Sequence, residues 1–235
     1  MTDGIVNSIY DTWYNDNKPL MISGHWNLID RSILELPQRD IYKGLNLLYF
    51  LSPETNAIID NQLLPKITEV IAQKQWIIPP EDRHITLLDI IPHNSPTSLD
   101  SQHELFPTYI ELIQQTINSF HEPLTIEFKG IFASPDGITI QGYPSPSIIK
   151  FRTELRSKLT TMKVLNLEHT KYVTQTAHTA WIKFITPLNG EQLIKVVDSL
   201  RNFPLGSVSI QEMILTISKR YDKTKTIETI KRFTL

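Results

Sequence analysis

Two spacings of apolar residues alternate along the chain and predict the order of its secondary-structure elements. Short runs that are mostly apolar, such as 45–51 and 85–91, are typical of buried strands, whereas apolar residues that recur every three or four positions, as in 104–120, mark one face of a helix. Strands are predicted at 45–51, 84–91, 124–132, 137–143, 178–185, 208–218 and 225–233, and helices at 53–71, 104–120, 146–162 and 189–202. This order predicts an α+β protein of two halves, with helices outside and sheets facing a central groove.

Turn and cap residues support several of these boundaries. Ser52 followed by Pro53 is a typical helix start, with the serine as N-cap. Asp136-Gly137 predicts a hairpin between two strands, and residues 221–224 predict a second hairpin at the end of the chain.

The first 43 residues lack a clear period and are rich in aromatic and turn-forming residues. We expect them to form an N-terminal extension with short elements and a turn at 15–17, packed on the domain or over its groove. Trp13 and Trp26 have two interpretations, as packing residues or as a surface on which a nucleobase stacks.

A candidate site begins where the second predicted strand begins, at His84-Ile85-Thr86-Leu87. Because side chains alternate between the faces of a strand, His84 and Thr86 point one way and the two apolar residues point the other. An imidazole that exchanges a proton near neutral pH beside a hydroxyl donor suits a bound phosphate. A buried strand with one hydrogen-bonded histidine is the alternative interpretation of this motif alone.

A second histidine stands in a similar setting, because His178 precedes the apolar run 181–185. Two residues after it, where a hydroxyl would correspond to Thr86, the chain has Ala180. Thr176 lies two residues before His178 and shares its face of the strand, whereas Thr179 points to the other face. Thr176 is therefore the candidate for a second phosphate-binding hydroxyl.

These two motifs make the chain resemble the two-histidine (2H) phosphoesterase superfamily, the group of 2′-5′ RNA ligase-like proteins and cyclic phosphodiesterases. The resemblance spans about residues 44–219 and rests on two short motifs and their order. It implies two pseudo-symmetric lobes with antiparallel sheets lining a central cleft and helices outside, each lobe contributing one His-x-Thr or His-x-Ser strand. Residues 44–235 would then form a single bilobal domain that carries 1–43 as its extension.

The resemblance also implies roles for individual residues. His84 and His178 would be the catalytic acid–base pair, and Thr86 and Thr176 would bind the substrate phosphate. Tyr143, at the end of a hairpin that packs beside the cleft in this family, is a further candidate for substrate contact. Ala180 departs from the second motif and leaves the second hydroxyl in question.

Length, net charge and composition exclude several classes of protein. With 235 residues, 40% of them hydrophobic, the chain can bury a core as one domain or two close lobes. The net charge of −2 argues against a binder of duplex DNA but is compatible with a nucleotide or an RNA end in a local basic cleft. The chain has no cysteine, no signal-peptide pattern and no apolar stretch of membrane-spanning length, so we expect a cytoplasmic protein that does not enter a membrane. Nothing in the sequence indicates the oligomeric state.

The expected chemistry is metal-independent. Two imidazoles on opposite sides of a phosphate supply the base and the acid that open a 2′,3′-cyclic phosphate, a cyclic nucleotide or an RNA or oligonucleotide phosphodiester. Neither motif has the His-x-x-x-His or histidine–carboxylate spacing of a metal site, so no metal and no other cofactor is expected. Two alternatives stay open, a relative that binds a nucleotide or RNA end without turnover and an unrelated α+β protein with structural histidines.

A group of basic residues on the helix predicted at 146–162 has two interpretations as well. The group comprises Lys150, Arg152, Arg156 and Lys158. We expect it to be a solvated helix face, with contact to phosphate or RNA as the alternative.

Overall fold

Two antiparallel β-sheets form the centre of the molecule. The computed structural model describes residues 2–31, 43–71, 75–93, 99–168, 173–219 and 227–235. The strands are β1 Lys43–Phe50, β2 Trp76–Ile77, β3 His84–Ile91, β4 Thr125–Ser134, β5 Gly137–Pro144, β6 Thr179–Lys183, β7 Pro204–Ser209, β8 Glu212–Lys219 and β9 Glu228–Thr234. The helices are α1 Thr2–Ile22, α2 (Pro53–Ile58, a π-helical Ile59–Leu63, then Leu64–Ile71), α3 Phe106–Ser119, α4 Pro146–Thr161 and α5 Gly190–Leu200.

The strand order connects the two halves of the chain. One sheet has the order β3-β1-β8-β9 and the other β2-β6-β5-β4-β7, and the strand pairs of both sheets are antiparallel. The predicted α+β class with two antiparallel sheets is therefore confirmed. In the first sheet, β3 pairs with β1 so that His84 lies opposite Phe50 and Thr86 lies opposite Leu48.

The hairpin between β4 and β5 forms where the sequence predicts it, with Ser134 paired to Gly137 across a two-residue turn. Gly137 is required for the close approach of a neighbouring strand, and not for the turn conformation that Asp-Gly predicts. A Cβ on this residue would lie 2.2 Å from the carbonyl oxygen of Ile182 on the neighbouring β6, so only glycine permits this close strand approach.

The strand predicted at 208–218 is in fact two strands that belong to different sheets. β7 pairs with β4, whereas β8 pairs with β1 and β9. The chain crosses between the sheets at Ile210 and Gln211, where the Ile210 N–H donates to the carbonyl of Leu124 at 2.8 Å. Apolar residues continue through this crossing, so the hydrophobic pattern does not reveal it. The hairpin predicted at 221–224 lies outside the described residues, although the pairing of β8 with β9 is observed.

The N-terminal region differs most from its prediction, because α1 is one helix of 21 residues and the turn expected at 15–17 lies inside it. The buried side chains of α1 are Val6, Tyr10, Tyr14 and Met21, whose spacing places them along one side of the helix. This side packs on β4, β5 and α5. Tertiary burial of three large side chains outweighs the turn propensity of the asparagines.

The other helices begin where the sequence indicates. Ser52 is the N-cap of α2 and its hydroxyl accepts a hydrogen bond from Thr55 N–H at 3.3 Å. Asn189 caps α5 in the same way, accepting from Gln192 N–H at 3.0 Å. Among the described residues, none of the helices combines the length and the hydropathy required to cross a membrane.

Candidate active site

His84 is the first residue of β3, and its half-buried ring is fixed by the turn before the strand. Its Nδ1 lies 2.8 Å from the carbonyl oxygen of Asp82. Because a carbonyl only accepts, Nδ1 carries the proton and Nε2 is the atom free to react. Burial lowers the pKa of His84 below its usual value, and the hydrogen bond to Asp82 opposes part of that shift.

A buried arginine holds the same turn. Arg83 is 1% exposed, and its guanidinium donates to the Ile78 carbonyl at 3.0 Å and to Asp60 at 2.6 Å. Asp60 belongs to α2, so this ion pair fixes the start of β3 against the helix. The sequence analysis assigned no role to Arg83.

His178 lies immediately before β6 and is fixed by a hydroxyl instead of a carbonyl. Its Nδ1 is 2.8 Å from Thr176 Oγ1. Burial lowers the pKa of His178 to about 4, and the nearby charges of Lys183, Arg152 and His84 add to the shift.

The two motifs meet at a cavity of about 140 Å³, which we call the His178 cavity. It is lined by Thr86 of β3, by His178 and the segment 173–176 before it, and by Ile9 and Trp13 of α1. Thr86 and His178 thus line one cavity, although Thr86 lies on β3 of the first sheet and His178 directly precedes β6 of the second. Thr174, in the same wall, has a buried Oγ1 without a hydrogen-bond partner.

The hydroxyl groups of Thr176 and Thr179, on either side of His178 in the sequence, face in different directions. Thr176 lines the cavity but is 2% exposed, and its hydroxyl is engaged with His178 Nδ1. Thr179 is 1% exposed and donates to the Ala180 carbonyl at 3.3 Å, so it faces away as predicted from the alternation. Ala180 is half-buried. The geometry therefore makes Thr176 a support for the imidazole.

Tyr143 does not reach this cavity. It is buried under α1, where its ring meets Tyr10 edge to face at 5.5 Å and its hydroxyl lies 3.1 Å from Gln141 Oε1. Helix α1 covers this part of β5 and closes it to a ligand in the His178 cavity. The sequence pattern that made Tyr143 a candidate for substrate contact did not predict this helix.

Helix α1 contributes two residues to the site that are absent from both motifs. Tyr10 is 1% exposed, and its hydroxyl donates to the Gly142 carbonyl at 2.7 Å and accepts from Gly142 N–H at 3.0 Å. The same hydroxyl interacts with the side chain of Thr176, the partner of His178. Trp13 meets the ring of His178 edge to face at 5.7 Å.

Gly142 permits the close packing of β5 against the segment that carries His178. A Cβ at this position would lie 2.0 Å from the carbonyl oxygen of Ala177, next to His178. The close approach is held by a hydrogen bond from Ala177 N–H to the Gly142 carbonyl at 3.0 Å. Helix α1, β5 and the segment carrying His178 are consequently one tightly packed unit.

The prediction that the basic residues of α4 form a solvated helix face is wrong for Arg152, which is completely buried. Its Nε donates to the Leu87 carbonyl at 2.6 Å and its Nη2 to the Thr86 carbonyl at 3.1 Å, while Nη1 is buried without a partner. Burial lowers the pKa of Arg152 to about 10, so it stays charged at neutral pH. The sequence did indicate that Arg152 is buried, because it lies four residues after Ile148 and three before Leu155, on the apolar side of α4.

Arg156 is also partly buried and forms an ion pair with Glu168, with Nε 2.5 Å from Oε2. Glu168 accepts from Thr174 N–H at 3.3 Å, and Arg156 donates to the Thr174 carbonyl at 3.2 Å. The pair therefore holds the wall of the His178 cavity. Arg152 has no carboxylate within hydrogen-bonding distance among the described residues, so the cluster keeps one excess positive charge behind Thr86.

A second, larger space lies beside His84, and we call it the β1 pocket. It has a volume of about 700 Å³ and is lined by the end of β1, the start of α2, residues 80–81 and the adjoining parts of β8 and β9. Phe50 lines it, and the Phe50 ring lies 5.5 Å from the ring of His84. In the parts of the chain that the structure describes, no three His, Asp or Glu side chains gather as a metal site would require.

Comparison with known proteins gives similarity in structure only. No protein-family model matches the sequence, and no curated protein matches it significantly. The crystal structure of TT0787 of Thermus thermophilus is similar with a TM-score of 0.56 and 17% identity, covering 82% of this chain and 97% of that one. E. coli LigT in its apo form has a TM-score of 0.52 and 13% identity with the same coverage, and LigT complexed with 3′-AMP has a TM-score of 0.50 and 12% identity, covering 83% and 98%.

The neighbours are matched over nearly their whole length, whereas about a sixth of this chain has no counterpart in them. The identities are low, so these similarities establish the fold. The chain has the two-lobed fold of the 2H phosphoesterases, and the resemblance predicted from its two histidine motifs is confirmed at that level.

Proposed function

We propose that the protein is a metal-independent phosphodiesterase that acts through His84 and His178 on a 2′,3′-cyclic phosphate, a cyclic nucleotide or an RNA or oligonucleotide phosphodiester. The observation that carries the proposal is the His178 cavity, where Thr86 of the first motif and His178 of the second line one space. The fold, and the complex of the similar LigT with 3′-AMP, support a nucleotide as the ligand.

Differences between the environments of the two histidines support a division of roles between them. His178 has the pKa lowered to about 4 and is neutral near pH 7, the form required of a general base. Burial lowers the pKa of His84 as well, but its Nδ1–H donates to the Asp82 carbonyl, a bond that becomes stronger in the imidazolium and opposes this shift, so His84 is the candidate for the general acid. His178 then deprotonates the attacking water, and His84 protonates the departing oxygen.

The charge on phosphorus needs its own stabilisation. In this proposal Thr86, which lines the His178 cavity, donates its hydroxyl to a non-bridging oxygen, and the uncompensated charge of Arg152 behind the same strand adds to the stabilisation. Ala180 supplies no hydroxyl on the opposite side. In hydrolysis the bond from water oxygen to phosphorus forms, the bond to the leaving oxygen breaks, and one proton passes from water to His178 while another leaves His84.

The pKa shifts predict an acidic pH optimum. As pH falls through about 4, the base His178 becomes protonated and kcat/KM declines. As pH rises through the lowered pKa of His84, the acid loses its proton and kcat/KM declines again. We therefore expect a bell-shaped kcat/KM profile that is already falling between pH 6.5 and 8, measured in buffers of constant ionic strength. A profile that rises from pH 6.5 to 8 would contradict this assignment of acid and base.

The hydroxyl of Tyr10 is expected to assist His178 through Thr176. Tyr10→Phe keeps the ring through which α1 packs on Phe132 and Tyr143 and removes only the hydroxyl, so we expect kcat to fall about tenfold, the equivalent of one hydrogen bond, with KM almost unchanged. The matched control is Tyr14→Phe, one helical turn further on, whose hydroxyl has a long bond of 3.4 Å to the Ile194 carbonyl. Equal losses of kcat in both variants would assign the effect to docking of α1.

The function is tested directly with a panel of substrates in the presence of EDTA. The panel contains nucleoside 2′,3′-cyclic phosphates and 2′-5′ and 3′-5′ oligoadenylates. We expect turnover of at least one class, unaffected by the chelator. Complete inactivity on the whole panel would contradict the proposal.

A second function is favoured by Ala180, namely binding of a nucleotide or RNA end without turnover. It predicts that 3′-AMP raises the temperature of unfolding while no product forms from any member of the panel. Thermal shift and product analysis on the same sample separate the two functions.

A further inference from the structure

A polar cavity of about 330 Å³ lies on the far side of α1 from the His178 cavity, and we call it the Gln141 cavity. Its walls come from α1, from the neighbouring strands β4 and β5 and from the residues that follow α5. Asn7 and Asp11 are its residues on α1. Ile9 and Trp13, which line the His178 cavity, lie about 200° around the helix from them, at about 100° per residue. Helix α1 therefore separates the two cavities, which share no lining residue in the described part of the chain.

A β-bulge shapes the Gln141 cavity. Two residues of β4, Lys129 and Gly130, stand opposite Gln141 alone on β5, where the pairing register shifts. Gly130 has a φ of +75°, and a Cβ at this position would overlap the carbonyl oxygen of Arg201. The Gly130 N–H donates to the Phe203 carbonyl at 2.8 Å. The bulge therefore lets the residues after α5 pack directly on β4, and it brings Lys129, Gln141 and Arg201 to one cavity.

Three side chains of this cavity have hydrogen-bond donors that the described residues leave unused. Gln141 is 1% exposed, and its Nε2 has no partner among them, although its Oε1 accepts from the Tyr143 hydroxyl at 3.1 Å. Arg201 donates from Nη2 to Asp11, while its Nη1 is buried without such a partner. The half-buried Lys129 forms no ion pair with any described residue. Because buried donors are normally paired, these groups indicate a ligand that accepts hydrogen bonds.

The charges and the geometry of the cavity favour a tetrahedral anion. Lys129 and Arg201 are positive and Asp11 is negative, so the described lining has a net charge of +1 (two cations less one anion). The guanidinium of Arg201 is held on the face of Tyr14, with Cζ 4.6 Å from the ring centre. Because Asp11 already occupies part of this guanidinium, Arg201 offers single N–H groups and not the paired edge that binds a planar carboxylate. Separate donors from three elements suit the oxygens of a tetrahedral oxyanion.

Asp11 discriminates between tetrahedral anions by their protons. A carboxylate accepts hydrogen bonds and repels an anion that has no proton to donate. Sulfate has no proton at neutral pH, and a phosphate monoester has lost most of its last one, since its second pKa is about 6. Inorganic phosphate keeps at least one P–OH group near pH 7. It is therefore the anion that both the cations and the carboxylate of this cavity accept.

We propose that the Gln141 cavity binds inorganic phosphate, as hydrogen phosphate, at a site separate from the two histidines. Lys129, Arg201 Nη1 and Gln141 Nε2 donate to its oxygens, and its P–OH group donates to Asp11. The cavity is larger than the ion, so waters complete the hydrogen bonds of the bound phosphate. This site does not depend on the phosphodiesterase reaction.

The test follows the side-chain amide of Gln141 by ¹H–¹⁵N NMR while sodium phosphate is added to the whole chain near pH 7 at constant ionic strength. We expect a saturable shift of this resonance. Sulfate and ribose 5-phosphate are expected to need at least about tenfold higher concentrations to reach the midpoint, since each lacks the hydrogen bond to Asp11. Asp11→Asn should bring the midpoints for phosphate and sulfate within a few fold of each other, because the asparagine amide no longer repels sulfate.

Three further variants locate the bound ion. Lys129→Gln is expected to raise the phosphate midpoint about tenfold, because one charge-assisted hydrogen bond is lost. Lys195→Gln is the matched control, since it removes the same charge from an exposed lysine of α5, and its midpoint should equal that of the wild type. The double variant His84→Asn with His178→Asn should also keep the wild-type midpoint at Gln141. Thermal unfolding of each variant confirms that it is folded.

The inference has clear contrary outcomes. The absence of a saturable shift of the Gln141 amide, or equal midpoints for phosphate and sulfate, would overturn it. Equal effects of Lys129→Gln and Lys195→Gln would assign the shift to the net charge of the protein and overturn it as well. A shift that disappears in the double histidine variant would place the phosphate between the histidines, which contradicts a separate site.

Discussion

Alanine in place of His84 or of His178 is expected to lower kcat by about 10²–10⁴-fold, because a positioned general acid or base contributes that much to a rate. Each imidazole presents Nε2 after its Nδ1 is engaged by the chain, His84 by the Asp82 carbonyl and His178 by Thr176. Since the two act on one phosphate as a unit, the double variant is expected to be about as slow as the slower single variant. Steady-state kinetics on the best substrate of the panel provide the measurement.

His25→Ala is the control, because His25 is exposed and its Nδ1 contacts only the nearby Ser23. Its kcat should equal that of the wild type. His84→Asn and His178→Asn repeat the test with a polar side chain of similar breadth, in case alanine disturbs the turn before β3. If folded protein retains activity within a few fold after both substitutions, the reaction takes place elsewhere and the two-histidine proposal fails.

β3, which begins at His84, and β6, which follows His178, could be predicted from local signals. Apart from Thr86 and Asp89, the residues after His84 are apolar to the end of β3, so this strand was predicted with its boundaries. The crossing from β7 to β8 could not be predicted, because Ile210 continues the apolar pattern and no residue of the local sequence marks a change of sheet. Helix α1 was missed for a related reason, since its stability comes from burial of Tyr10 and Tyr14 against distant strands.

The residues of the site also divide into those that the local sequence marks and those that only tertiary contacts bring there. His84, Thr86 and His178 stand in short motifs, so residue type and alternation were enough to select them. Tyr10 approaches Thr176 across more than 160 positions of sequence, and a pattern of neighbouring residues carries no information about such a contact. Arg152 is an intermediate case. Its charge favoured an exposed interpretation, although its place on the apolar side of α4 indicated burial.

Arg152→Met is expected to lower the free energy of unfolding by about 2–4 kcal/mol, because two charge-assisted hydrogen bonds to β3 are lost while methionine refills much of the volume. The same change should raise the pKa of His178, since the positive charge of Arg152 is one of the causes that lower it. Urea denaturation gives the first quantity, and NMR titration of the His178 ring gives the second. With Thr86 less firmly held and one cation fewer near the phosphate, kcat should fall as well.

Lys150→Met on the same helix is the matched control, because Lys150 is exposed and its ammonium group lies 5.7 Å from the centre of the Phe120 ring. It removes the same charge from α4 without touching β3, so it should change the unfolding free energy by less than about 0.5 kcal/mol. A loss of stability in Arg152→Met with an unchanged His178 pKa would make Arg152 a structural residue alone. A raised pKa in both variants would show that the total charge of α4, and not the buried guanidinium, sets the protonation of His178. Only a raised pKa confined to Arg152→Met supports an electrostatic role for Arg152 in the site.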